Sequence, residues 1–286
     1  MNAFRKTLLA AVSAIALAGA AGAAEVETVI KDVRFTFEGP FGQYDQAQLQ
    51  RGFQIYNEVC AACHGMRYVA FRHLGAETGP FFPEEQVQAI AAQWEFPRED
   101  DPSEMRPGQP FDYFPTPEYF GDGVPPDLSL MAKARAGFHG PQGTGINQLF
   151  RGIGGPEYIY SLMTGYADTP ECAIDNEPNG YYNKAFAVGA FPDSCIDEHG
   201  HRMVPGSWIA MPQQLYDDLV DYADGTPATE HQLAMDIASF LMWTAEPKMM
   251  ERKEAGLRNI VWLVVLAVLL YFTNKRIWAP VKREDG

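Results

Sequence analysis

The 286 residues, 47% of them apolar, suffice to enclose a sizeable core in one large domain or two small ones. With 37 acidic against 22 basic residues the formal charge is −15 at pH 7, which argues against nucleic acid as a partner. The 26 glycines and 21 prolines point to long connecting loops.

In chain order, residues 1–24 read as a cleaved secretory signal. Arg5 and Lys6 form its charged start, Leu8 to Ala20 its apolar run, and Ala21 to Ala24 a small-residue cleavage site. An uncleaved anchor is the competing reading. Asp45 caps a helix with Leu49, Gly52, Phe53 and Tyr56 on one face, and that helix runs into Cys60. Pro83 opens a second helix through Val87, Ile90, Ala91 and Trp94. Pro156 opens a third through Ile159, Leu162, Met163 and Tyr166. Thr229 and Gln232 form a capping box ahead of Leu233, Ile237, Phe240 and Leu241. The stretches Pro97 to Pro126 and Gly137 to Gly155 are rich in proline or glycine, and no clean strand alternation appears. The soluble part is therefore expected to be mostly α with much irregular chain.

Near the end, Asn259 to Asn274 carries no charge and Ile260 to Phe272 is solidly apolar. A bilayer span needs roughly 20 residues. Arg258, Lys275 and Arg276 can snorkel to the interfaces, and Trp262, Tyr271 and Trp278 are of interfacial type. The expectation is a transmembrane helix over 256–279, against the alternative of a buried soluble helix. The flanking cations balance, so the signal decides orientation: residues 25–255 form a periplasmic domain and 280–286 a cytoplasmic tail, a single pass through the inner membrane. Residues 25–255 hold 35 acidic and 15 basic side chains, a net of −20 that repels acidic partners and attracts basic ones.

The motif richest in chemistry is Cys60-Ala61-Ala62-Cys63-His64. Two thiols three apart at a helix end can each add to a haem vinyl group, and the adjoining histidine then lies below the iron as an axial ligand. A zinc half-site would need a second ligand pair at similar spacing, which the sequence lacks. A redox dithiol would follow a strand, whereas Ile55 to Val59 continues a helix. One covalent haem c, held by Cys60, Cys63 and His64, is the expectation.

Cys172 and Cys195 remain, and in an oxidising compartment two leftover cysteines usually pair. Closing the 22 intervening residues would stabilise the fold by about 3 kcal/mol on the chain-entropy model. Such a bridge would pin the loop around Tyr181, Tyr182 and Asn183 over the haem. For the sixth iron ligand the candidates are Met66, Met105, Met131, Met163, Met203, Met211, Met235 and Met242, with His139, His199, His201 and His231. Met211 stands in a loop before the stiffening Pro212, which favours it over Met203 and His201. Lys133 and Arg135 are candidates to meet the anionic haem propionates. Nothing reads as an organic-substrate site, and Gly152-Ile153-Gly154-Gly155 lacks the strand context of a nucleotide loop.

Taken in order, the motifs resemble the cytochrome c1 family, the haem subunits of bc1 complexes, in their bacterial form. The resemblance rests on Val59 to Met66, Tyr68 to Leu74, Pro125-Pro126-Asp127-Leu128-Ser129, Ala134 to Gly137, Glu157 to Tyr166, Ala210-Met211-Pro212, Asp224 to Thr229 and Trp243 to Lys248. It implies a mostly α, elaborated class I cytochrome c fold with long loops and one C-terminal transmembrane helix. It also implies that Met211 is the axial methionine, that Arg135 meets a propionate and that Tyr158 lines the haem pocket. The implied partners are cytochrome b, the Rieske iron–sulfur protein and a soluble basic cytochrome c, in a dimeric complex. The chain itself would carry electrons rather than catalyse a reaction. Against mitochondrial members, Phe82 to Tyr119 and Gly137 to Gly155 look expanded, and the cysteine pair is not shared by all members. The rivals are a membrane-tethered carrier acting alone and a haem peroxidase with an open sixth position.

Overall fold

The computed structural model describes residues 28–121, 123–135, 150 and 152–284. The expected signal 1–24, most of the glycine-rich stretch 137–155 and the ligand candidate His139 lie outside the described residues. In chain order the elements begin with α1 (Gln46–Glu58), a 3-10 turn (Cys60–Ala62), β1 (Met66–Ala70), a second 3-10 turn (Phe71–Gly75) and α2 (Glu84–Ala91). Next come β2 (Glu95–Pro97), β3 (Met105–Pro107), β4 (Tyr113–Phe114), α3 (Met131–Ala134) and α4 (Gly155–Met163). β5 (Tyr181–Asn183), β6 (Ser207–Ile209), α5 (Glu230–Ala245) and α6 (Met249–Glu284) complete the order. The described chain packs as two compact units. One is Ala167–Met211 with Thr28 and Val29; the other is formed by the described residues of Ile30–Tyr166 and Pro212–Gly286.

The larger unit is organised by the crossing of α1 and α5. The Asp45 carboxylate caps α1 by accepting from the Gln48 N–H at 3.2 Å, and the Thr229 hydroxyl caps α5 by accepting from the Gln232 N–H at 3.2 Å. A Cβ on Gly52 would lie 2.2 Å from the Asp236 carbonyl oxygen and 2.6 Å from the Phe240 Cβ, so only glycine permits this approach. Around the crossing Phe53 meets Phe240 at 5.8 Å, Tyr56 meets Phe114 edge-on at 5.5 Å, and Phe71 meets Phe114 at 4.2 Å between ring centroids. Beside them Arg51 ties the two helices. Its Nε donates to Asp236 at 2.9 Å and its Nη1 to Asp224 at 2.7 Å, and the Asp236 side chain has no exposed surface.

Three sequence expectations shift at element ends. The second helix stops at Ala91, and the N–H groups of Gln93 and Trp94 turn to the carbonyls of Ile90 and Ala91, so Trp94 lies beyond it. The third stops at Met163: the Thr164 N–H and hydroxyl both turn back to the Tyr160 carbonyl, and Tyr166 is outside. At α5 the Thr229 half of the capping box is present, and the Gln232 side-chain amide donates forward along the helix to Asp236 at 2.8 Å. The described strands pair in antiparallel twos: β1 with β4, β2 with β3 and β5 with β6. At two to five residues they are too short for alternation to show in sequence. Within the expanded stretch 82–119, the β2–β3 hairpin is braced by a two-pronged pair from Arg106 to Asp112 at 2.6 and 2.7 Å.

The smaller unit has its own core of Ala173, Tyr182, Cys195 and Trp208, with Tyr182 and Trp208 ring centroids 4.9 Å apart. Strand register places Tyr182 opposite Trp208, and the buried Asn183 carbonyl oxygen Oδ1 accepts the Ala185 N–H at 2.9 Å.

α6 runs unbroken for 36 residues, about 54 Å at the helical rise. Its apolar stretch reaches a mean hydropathy of 2.0 with none of it buried, which overturns the buried-helix alternative. The helix is long and apolar enough to cross a bilayer. It starts earlier than the expected 256–279, and its first turns are fastened to the larger unit. The Lys253 ammonium donates to the Phe37 carbonyl, and Arg252 pairs with Glu246 at 2.6 Å.

This packing leads to two expected outcomes. Replacing Arg51 by Met strands the enclosed Asp236 carboxylate, and denaturant unfolding should show a loss of about 3–5 kcal/mol. His73 accepts the Ala70 N–H at its Nδ1 (3.1 Å), and burial, then Arg72, lower its pKa below the ordinary 6.5. Protonation thus favours the unfolded chain: this contribution is present above about pH 6.5 and is lost as pH falls toward the lowered folded value. His73→Gln should flatten the fall of the melting temperature between about pH 7 and 5 relative to the unaltered chain.

Candidate functional site

The end of α1 sets the site. After Glu58 the chain tightens into the 3-10 turn, and the N–H groups of Cys63 and His64 both donate to the Cys60 carbonyl, at 3.1 and 2.9 Å. Cys60 and Cys63 are free thiols, half-buried, on this single turn. Desolvation, with Cys63 adding to it, pushes the Cys60 thiol up to about 12.

His64 is held at two points. Its backbone carbonyl accepts the hydroxyl of Tyr56, a fully buried α1 side chain, at 3.0 Å. Its ring Nδ1 lies 2.8 Å from the Pro126 carbonyl oxygen. A carbonyl only accepts, so Nδ1 carries a proton, and in the neutral ring the lone pair is then on Nε2. That is the tautomer an axial imidazole ligand requires. The donor set therefore fits a covalent haem: two unpaired thiols at the right spacing, followed by an imidazole with one nitrogen committed and the other available. Just after His64 the chain passes so close to the 115–116 segment that a Cβ on Gly65 would sit 2.7 Å from the Thr116 Cα.

Arg135 follows α3 and Tyr158 lies in the first turns of α4; the structure brings them together. Burial pushes the Tyr158 phenol up, while the charge and hydrogen bond of Arg135 pull it back. Lys133, the other propionate candidate, pairs with Glu246 at 3.6 Å. Among the sixth-ligand candidates, Met66, Met163 and Met242 are buried in the packing of the larger unit. Met105 and Met203 are exposed, as are His199 and His201 beside Asp197, and Met131 and Met235 are half-buried. His231 is hydrogen-bonded to the Tyr160 hydroxyl at 2.7 Å. Met211 is half-buried two residues past β6, in the smaller unit rather than the one that carries His64.

Cys172 and Cys195 are joined, with Cα atoms 5.2 Å apart, as the sequence suggested. Their sulfurs link the two 3-10 turns of the smaller unit, Glu171–Ala173 and Asp193–Cys195. Three residues at the site escaped sequence reasoning: Tyr56, Pro126 and Asp127. Tyr56 reads as a core position by its helical spacing, and nothing local announces that its hydroxyl reaches His64. The carbonyl of Pro126 has no sequence signature at a separation of 62 residues.

Two free thiols and an oriented imidazole in one pentapeptide, a set that fits a covalent haem, point to the class: a c-type cytochrome, here on a chain whose last helix is suited to a membrane. Comparison with known proteins narrows this further. The Cytochrome C1 family description matches residues 35–281. Cytochrome c1 of Cereibacter sphaeroides is 55% identical, over 97% of this chain and 97% of its own length. The mitochondrial cytochrome c1 haem protein of Saccharomyces cerevisiae is 37% identical over 87% of this chain and 72% of its own. A Bradyrhizobium diazoefficiens protein named cytochrome b/c1 is 38% identical over 86% of this chain and 35% of its own. The chain belongs to the cytochrome c1 family, and its cofactor is one covalently bound haem c.

The disulfide yields a direct test. Replacing both Cys172 and Cys195 by Ser should cost about 3 kcal/mol of unfolding free energy by the chain-entropy relation, read from denaturant midpoints.

Proposed function

We propose that this chain is the electron-relay subunit of a ubiquinol–cytochrome c reductase. In this reading it accepts one electron from the Rieske iron–sulfur protein and passes it to a soluble basic cytochrome c, while bound beside cytochrome b in a dimeric complex. The observation that carries the reading is the His64 ring, fixed by the Pro126 carbonyl with Nε2 left for a metal, one residue after two free thiols. The haem supplies reversible one-electron chemistry at its iron when bound.

The protein's own residues do the rest. Cys60 and Cys63 would hold the porphyrin covalently, and His64 and Met211 would supply the side-chain ligands to its iron. The methionine thioether favours the ferrous state and raises the potential. The Arg135 guanidinium balances a propionate, and Tyr158 lines the pocket beside it; their mutual hydrogen bond supports the pairing. No bond of an organic substrate is made or broken on this chain. The relative whose printed name joins b to c1 supports association with cytochrome b.

Residues 25–255, net −20, form the periplasmic face in this reading and steer a lysine-rich cytochrome electrostatically. The C-terminal end of α6 lies in the cytoplasm, since the signal over 1–24 exports the bulk of the chain.

Absorption spectra of the purified holoprotein test the ligand set. Oxidised protein should show the weak far-red band of thioether–iron ligation, and Met211→Leu should abolish it and open the reduced iron to carbon monoxide. A Met211→Leu protein that keeps the band and excludes carbon monoxide removes Met211 from the reading. Native reduced protein that binds carbon monoxide readily favours a peroxidase. Mild-detergent isolation without cytochrome b favours a lone tethered carrier.

A further inference from the structure

We infer that Asp127 is a positioning residue for His64, acting through the carbonyl of Pro126. The inference rests on the proposed role of His64 as an iron ligand.

The loop Pro125–Ser129 is stapled to the segment that leaves His64 by a run of hydrogen bonds. The His64 ring donates to the Pro126 carbonyl at 2.8 Å, and the Leu128 N–H donates to the Gly65 carbonyl at 2.9 Å. The Arg67 N–H donates to one Asp127 carboxylate oxygen at 2.8 Å, while the other accepts the Ser129 N–H at 3.0 Å. The fully buried Ser129 hydroxyl then accepts the Tyr68 N–H at 3.1 Å. The Pro126 carbonyl lies in the peptide plane that joins it to Asp127, so its aim depends on what restrains Asp127. The neighbouring carboxylate supplies that restraint: one oxygen folds the loop on itself and the other grips β1.

The aim of the Pro126 carbonyl at Nδ1 is thus set by Asp127, which touches neither the imidazole nor the iron. A well-aimed acceptor at Nδ1 makes the imidazole a stronger donor at Nε2 and stabilises the oxidised metal. Loosening it weakens that donation and raises the midpoint potential.

The test is redox titration of the full-length holoprotein carrying Asp127→Ala, Asp127→Asn or Ser129→Ala. Ser129→Ala is decisive because it changes no charge yet removes one staple of the same loop. The inference expects Asp127→Ala and Ser129→Ala both to raise the potential. The expected change is on the order of tenfold in the reduction equilibrium for Asp127→Ala, about 59 mV for one electron. Asp127→Asn keeps one acceptor oxygen and should move less than Asp127→Ala. Equal shifts in the two Asp127 variants with none in Ser129→Ala would show a bare charge effect and overturn the inference. So would lowered unfolding midpoints with unmoved potentials, which indicate a structural role alone. Failure of the parent reading looks different: a His64→Ala holoprotein that keeps an unaltered low-spin spectrum would remove the ligand itself.

Discussion

The close passage of α1 over α5 at Gly52 governs the course of the chain as far as His64. A backbone approach that leaves no room for a Cβ fixes the azimuth of α1, and with it the face that carries Phe53 and Tyr56 into the core. Because Tyr56 is locked there, its hydroxyl is delivered to the His64 carbonyl, and the turn bearing Cys60 and Cys63 leaves the helix in one direction. The Arg51–Asp236 pair seals the same contact in a buried setting, where its value lies in defining register more than in raw stability. Helix packing and cofactor chemistry are therefore one constraint seen at two points.

Around His64 the protein uses backbone carbonyls and hydroxyls in place of charges. Tyr56, the Pro126 carbonyl and the loop beyond it hold the residue through uncharged contacts, with the Asp127 carboxylate one step further out. Keeping charge off the imidazole itself leaves its basicity to be tuned by hydrogen bonding. The acidic excess of residues 25–255 acts differently, as a long-range field summed over the whole segment.

The long apolar helix is bonded directly to the larger unit. α6 begins at Met249, four residues after α5 ends, and Lys253 and Arg252 tie its first turns to Phe37 and Glu246. Such a base favours a defined direction for the helix over free swivelling, because its first turns are bonded to the fold. The smaller unit relies on a covalent clamp instead: with few buried side chains of its own, the Cys172–Cys195 bond substitutes for core.

The amino-acid sequence alone determined every feature that depends on near neighbours. The Cys60–His64 pentapeptide announces thioether attachment, Asp45 and Thr229 announce helix starts, and the uncharged run before Lys275 announces a bilayer-length helix, because each signal lies within a short stretch of chain. Helix ends at Ala91 and Met163 were less legible because short-range turns compete closely with continued helix, and strands of two to five residues because their partners lie elsewhere in the chain. Only the tertiary structure decided that Gly52 is a crossing point, that Tyr56 and Pro126 share His64, and that Asp127 staples the loop to β1. Those contacts join residues far apart along the chain through carbonyls and hydroxyls that every sequence contains, so composition and periodicity carry no mark of them.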